Sequence, residues 1–140
     1  MNGNQKVLKS QLDAIGPVLE RLRVSIAPEY LGLITATGQP ISVISSNRAI
    51  DADALAALAS SSFAAAKELG QILENQGVSV VLHEGKELNL QIARVTDSTL
   101  LVVCFRGFGE IGRVRLVMRR AARVIGGALS QDMTPKKEKL

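Results

Sequence analysis

The side chains able to do chemistry are few and scattered. The chain of 140 residues has one histidine, His83, and one cysteine, Cys104. A structural zinc site needs four such ligands, so no Cys/His zinc site is available within one chain. No intramolecular disulfide can form either. His83 stands beside Glu84 with no nucleophile next to it, which favours an interface or structural histidine over a general base. Cys104 lies in the apolar run Leu100–Phe105, where a thiol serves as a small core hydrophobe. Asp51 and Asp53 stand where a helix opens and suit its positive end. Ser60, Ser61 and Ser62 fall on a helix with no base at hand. No catalytic, metal or cofactor site is therefore expected.

Two patterns invite a stronger reading. Gly107-Phe108-Gly109-Glu110-Ile111-Gly112 spells G-x-G-x-x-G between an expected strand and an expected helix, the place of a dinucleotide-binding turn. That fingerprint needs a second parallel strand after the helix, with an acid near its end. Here only about a dozen residues follow the expected helix, with Asp132 in a polar tail, and Glu110 would set a carboxylate where a pyrophosphate belongs. A flexible strand-to-helix turn is the expectation. No G-x-x-x-x-G-K-[ST] occurs, so the chain is not itself a P-loop GTPase.

The second pattern is charge. The formal net charge is +4, and residues 106–140 carry nine Lys/Arg against Glu110, Asp132 and Glu138. That segment sums to +6, so the other 105 residues sum to −2. Arg113, Arg119, Arg120 and Arg123 fall on or near one helix face with Leu116. Aromatics, at 3%, are too scarce for single-strand stacking, so nucleic acid is not an expected partner. The face is read as solvated, with weak contact to an anionic membrane surface or an acidic protein as the alternative.

These residues sit on elements that the hydrophobic pattern delimits. Leu8, Leu12, Ile15, Leu19 and Leu22 recur at helical spacing. Ser10 and Asp13 could form a capping box there. Pro17 falls inside the stretch, which predicts a kink or restart near Gly16 and a main helix over 17–24. Tyr30–Thr35 and Ile41–Ser45 read as a hairpin about Ala36–Pro40. Asp51 would cap a helix over 52–75, with Leu55, Leu58, Ser62, Ala66, Leu69 and Leu73 as its core stripe and Asn75-Gln76-Gly77 as its end. Ser79–His83, Glu87–Arg94 and Thr99–Arg106 read as strands. The second alternates, with Leu88, Leu90 and Ile92 inward and Glu87, Asn89 and Gln91 outward. A last helix spans about 110–129, with Val114, Val117, Ala121, Ile125 and Ala128 inward. The expected order, α-β-β-α-β-β-β-α, is an α+β domain over 1–129 with a disordered polar tail over 130–140. Met1–Gln11 lacks the apolar core of a secretory signal and no window approaches a membrane span, so a cytoplasmic protein is expected.

The second helix carries the most informative surface. From Ala54 to Ala66 the chain reads ALAALASSSFAAA, thirteen residues without a charge. A solvated helix face normally shows Lys and Glu. Opposite the leucine stripe this one shows Ala57, Ser60, Ser61, Ala64 and Gln71, with Lys67 and Glu68 nearby. Small uncharged side chains let another helix approach closely and lose little on desolvation. This predicts a docking face and not a catalytic cleft. Ser79–His83, if an edge strand, could pair with its own copy across a two-fold axis.

The chain resembles the roadblock (dynein light chain) family and, within it, the bacterial MglB-type regulators. The stretches that carry the resemblance are YLGLITATGQPIS, DADALAALASSSFAAAKELGQIL, SVVLHEGKELNLQIARVTDSTLLVVCFR and EIGRVRLVMRRAARVI, within about residues 17–127. The resemblance implies a five-stranded antiparallel sheet with one helix on one face and two on the other. It implies a homodimer with paired third strands and central helices side by side, involving Ala54, Ala65, Ser79, Val81 and His83. It implies a Ras-like small GTPase bound on the central-helix platform (Ala57, Ser60, Ser61, Ala64, Lys67, Glu68 and Gln71). Hydrolysis would be stimulated through the GTPase's own groups, with no arginine finger from Arg48 or Arg106. The alternatives are a scaffold subunit without effect on hydrolysis and a basic-helix module on an anionic surface. Gly16-Pro17 departs from the family's first helix. The C-terminal extension that some relatives use as a second GTPase contact is short here, Gln131–Leu140.

Overall fold

Thr99–Arg106 is the middle of the molecule because both of its faces are apolar. Leu101, Val103 and Phe105 point to one side of the sheet and Leu100, Val102 and Cys104 to the other, all buried. Around this strand the computed structural model, which describes residues 7–74 and 77–130, builds a single antiparallel sheet. The elements in chain order are α1 (Lys9–Ile26), β1 (Tyr30–Thr35), β2 (Pro40–Ser45), α2 (Ala52–Glu74), β3 (Val80–Glu84), β4 (Leu88–Thr96), β5 (Thr99–Arg106), a 3-10 turn (Phe108–Glu110) and α3 (Ile111–Ser130). The strand order is β2-β1-β5-β4-β3. α1 and α3 cover one face and α2 covers the other. This is the expected α+β architecture, with helices on both faces. Among the described residues no helix is long and apolar enough to cross a membrane.

Three local expectations are corrected. α1 is one helix from Lys9, with Pro17 inside it. Proline leaves the carbonyl one turn earlier without a donor. Here Asp13, Gly16 and Pro17 all face solvent, where water can satisfy that carbonyl. Both halves are held by the same core, through Ile15 before Pro17 and Val18, Leu19, Leu22 and Ile26 after it. Ser10 and Asp13 form no capping box. The buried Gln11 takes that role, accepting from Leu8 N–H at 2.8 Å, while its Nε2 donates to the Leu129 carbonyl at 3.3 Å. α1 therefore begins where α3 ends. Arg113 Nη1, donating to Ser25 Oγ at 3.2 Å, joins their other ends, so the two helices run antiparallel.

The third correction is on β4. Asn89 and Gln91 do not face water; both are buried. Asn89 Nδ2 donates to the Gly107 carbonyl at 3.3 Å and Gln91 Nε2 to the Ile111 carbonyl at 3.1 Å. The two amides thus fasten the β5–α3 connector over the sheet. Gly107 enters that connector at φ +102°. The G-x-G-x-x-G stretch is a tight antiparallel-sheet exit, since every strand pairing is antiparallel and no strand follows α3 among the described residues.

The hairpin between β1 and β2 forms about Gly38, at φ +97°. The remaining expected end features fall on Asn75, Gln76 and residues 131–140, which lie outside the described residues.

At one end of the sheet a carboxylate gathers three segments. Glu29 accepts from Arg106 Nε and from Asn47 Nδ2, each at 2.8 Å, and Arg106 Nη1 reaches Glu87 at 3.3 Å. The Arg106 hydrogen bond, followed by that of Asn47, holds the Glu29 carboxyl below its ordinary value of 4.5. A carboxylate with a lowered folded pKa stabilises the fold above its ordinary pKa and loses that effect as pH falls through the folded value. Glu29→Gln should therefore flatten the acid limb of a thermal-melt series taken downward from neutral pH. A wild-type acid limb retained in full would remove Glu29 as its source.

Candidate protein-docking face

α2 meets the sheet through its smallest side chains. Asp51 Oδ1 accepts from Ala54 N–H at 3.1 Å and caps the helix. Ala56, Ala59, Ser60 and Phe63 are its buried residues. A helix on a sheet sits closest where its side chains are short, and Phe63 fills the gap that alanines leave. Gly38 shows how close the approach is. A Cβ there would stand 2.9 Å from Ser60 Oγ and 3.1 Å from Ala57 Cα.

This orientation overturns the expected core stripe. Leu58, Leu69, Ile72 and Leu73 are 68%, 58%, 79% and 75% exposed, while Leu55, Ser62 and Ala66 are half-buried. The leucines form a flank turned away from the sheet. A wheel of 3.6 residues per turn puts Ala54 and Ala65 on the same flank, and both are exposed. Four large apolar side chains in water on one helix are unusual for a monomer surface.

The flank continues onto β3. His83 Nε2 and Ser62 Oγ lie 2.8 Å apart, which joins the edge strand to the helix. Ser79 and His83 are exposed and Val81 is half-buried. The two edges of the sheet differ. β2 begins with Pro40, which has no N–H to offer, and its pairing with β1 shifts register between Leu33 and Ile34. Proline and bulges protect an edge from further pairing. β3 has neither: its five residues pair in unbroken register with β4.

The remaining ridge of α2 is Ala57, Ser61, Ala64, Lys67, Glu68 and Gln71, all exposed. Ser60, placed with them by sequence, is turned inward beneath the hairpin. Lys67 and Gln71 line a cleft of about 360 Å³ with Ser79, Val78, Arg94 and Asp97. That brings the helix ridge and the start of β3 to one surface. The leucine flank escapes a reading of the sequence because large apolar residues at helical spacing look like core. The signal for it is the Ala56, Ala59, Phe63 spacing.

The face offers little for catalysis. Ser60 and Ser61 hydroxyls donate to the Ala57 carbonyl at 2.9 and 3.1 Å, within the helix. Cys104 is buried, and burial pushes its thiol pKa up, away from a reactive thiolate. Arg106 is engaged by Glu29 and Glu87. Among the described residues no three His, Cys, Asp or Glu side chains gather as a metal site.

Structures with the same arrangement are known. MglB of Myxococcus xanthus aligns with a TM-score of 0.79 at 24% identity, covering 92% of this chain and 99% of that one. The gliding protein MglB of Thermus thermophilus aligns at 0.80 and 22% identity, covering 89% and 95%. An MglB with a tetrameric arrangement aligns at 0.79 and 23%, covering 87% and 92%. At such identities the likeness establishes the fold. No curated protein sequence matches the chain significantly. The profile of the Roadblock/LC7 domain matches residues 18–105, which run from the second half of α1 through β1 to all but the last residue of β5. The chain belongs to the Roadblock/LC7 domain family.

Proposed function

We propose that the chain is a homodimeric, non-catalytic regulator of a Ras-like small GTPase in the cytoplasm. The observation that carries the proposal is the exposed leucine flank of α2, continuous with an edge strand that has no protection against pairing. Two copies joined there bury Leu58 and Leu69 between their central helices and extend the sheet through β3. Ala54, Ala65, Ser79, Val81 and His83 belong to that joint. What stays outward is a low-charge platform made twice of Ala57, Ser61, Ala64, Lys67, Glu68 and Gln71. The GTPase docks on it. Shared fold with MglB proteins supports the reading. The dimer stimulates hydrolysis by ordering the GTPase's own catalytic groups, as Arg106 is already committed to Glu29 and Glu87.

The test uses a Ras-like GTPase encoded in the same genome. The wild-type dimer is expected to bind it and raise its GTP hydrolysis rate. Ala64→Glu sets a charge on the platform, away from the leucine flank. It should weaken GTPase binding by about tenfold or more, the scale of an uncompensated interface charge, while the mass of the dimer is unchanged. Binding with no rate change at saturation would make the protein a scaffold. Equal binding by Ala64→Glu would remove the platform.

A further inference from the structure

The opposite face of the molecule holds a second surface, unconnected with α2. The seam between α1 and α3 is open along its solvent side as a groove of about 310 Å³. Its apolar lining is Val18, Leu22, Val117, Ala121 and Val124, and Arg21 and Arg120 stand over it. The ends are closed by Arg113 on Ser25 and by Gln11 on Leu129. Val117, expected as core, is only half-buried, and Val124 is 55% exposed.

The charge around this groove is one-sided. On α1 both acids are already used, Asp13 by Lys9 and Glu20 by Arg23. α3 contains no acidic residue between Ile111 and Ser130. Among the described residues no carboxylate pairs with Arg21, Arg120, Arg115, Arg119 or Arg123. An apolar trough between two unneutralised guanidinium groups is complementary to an apolar stripe edged with carboxylates.

Other occupants fit less well. A second copy on the same face would bring Arg21 and Arg120 against their own kind. A bilayer is met by side chains that protrude, whereas Leu22 and Ala121 form a buried floor. A nucleic acid would leave that floor without an apolar partner. On α3 the lining runs from Val117 to Val124, ~10 Å or two helical turns at about 1.5 Å per residue. A third helix can lie in such a seam by the ridge-into-groove packing that α1 and α3 already use.

The geometry points to the α1–α3 groove as a docking site for a short amphipathic helix of another protein, with apolar residues at i, i+3 or i+4, and i+7 and with Asp or Glu along both borders. Its apolar stripe rests on Val18, Val117 and Val124, and its carboxylates accept from Arg21 and Arg120. The site is independent of the GTPase reading, because it lies on the other face of the sheet.

A displayed library of random peptides of about 12 residues, roughly three helical turns and so enough to cover the groove, tests it. The library is selected on the intact protein and counter-selected on Arg21→Glu/Arg120→Glu. Peptides with helical apolar spacing and an excess of Asp and Glu are expected. Synthesised singly, they should bind the variant at least about tenfold more weakly, as for a reversed interface charge. Amide-exchange protection should fall on α1 and α3. Matching melting curves of wild type and variant exclude loss of fold as the cause. Peptides without acidic enrichment, equal binding by the variant, or protection on α2 and β3 would overturn the assignment. So would phosphatidylserine vesicles that bind through Arg21 and Arg120 where no peptide does.

Discussion

Gly32→Ala is expected to lower the stability of the fold by about 3 kcal/mol, the upper range for overpacking a core. Gly32 lies on β1, the neighbour of the central strand, between Tyr30 and Ile34 on the face toward α2. An added Cβ would stand 2.5 Å from Tyr30 Oη and 2.8 Å from two carbons of the ring. The ring has no room to yield, because Tyr30 is fully buried. Tyr30 Oη is itself buried without a hydrogen-bond partner among the described residues. Burial accordingly raises its pKa. Tyr30→Phe removes an unsatisfied hydroxyl at little cost but leaves the ring carbons, so it should not rescue Gly32→Ala. Tyr30→Leu vacates the ring position. In that background Gly32→Ala should cost less than alone, by more than about 1 kcal/mol of coupling. Denaturant melts of the two single variants and the double variant measure this. Additive costs would contradict a direct clash.

The second large effect is on assembly. If the proposed dimer forms through the leucine flank, Leu58→Glu/Leu69→Glu should turn it into a folded monomer, with a dissociation constant raised by about 1,000-fold or more. Burying one leucine is worth roughly 1.5–3 kcal/mol, and the two-fold axis repeats each loss. The leucines are mostly in water in the single chain, so the substitutions leave the monomer core intact. Sedimentation across a concentration series, with circular dichroism for the fold, reads the result. Leu116→Glu on α3, at a half-exposed position on the other face, should leave the mass unchanged. A double variant that stays a dimer would place the joint elsewhere.

The strands are legible in the sequence because their signals are local. Thr99–Arg106 is apolar on both faces and could only be central, and Gly38 sits where the first hairpin must reverse. The order of elements follows. Legibility ends where a choice depends on what lies across from a helix. α2 has two apolar stripes, one large and one small, and periodicity alone prefers the large one. The sheet takes the small one, since Ala56 and Ala59 allow closer contact, and so the leucines end outside. Asn89 and Gln91 obey the same logic: polar residues alternating on a strand predict solvent, until a connector supplies carbonyls for their amides. Pro17 reads as a break because the rule for proline concerns one carbonyl. The rule does not count the core residues on both sides that keep the helix whole.

The unequal edges of the sheet set how far assembly can run. A strand that joins only its own copy is a unit with a single reactive end, and Pro40 with the register shift at Leu33 and Ile34 stops the other end from reacting. Units of that kind form pairs and terminate. In the proposed dimer two five-stranded sheets would join through β3 and leave only β2 at each end, so raising the concentration would fill pairs and not lengthen filaments.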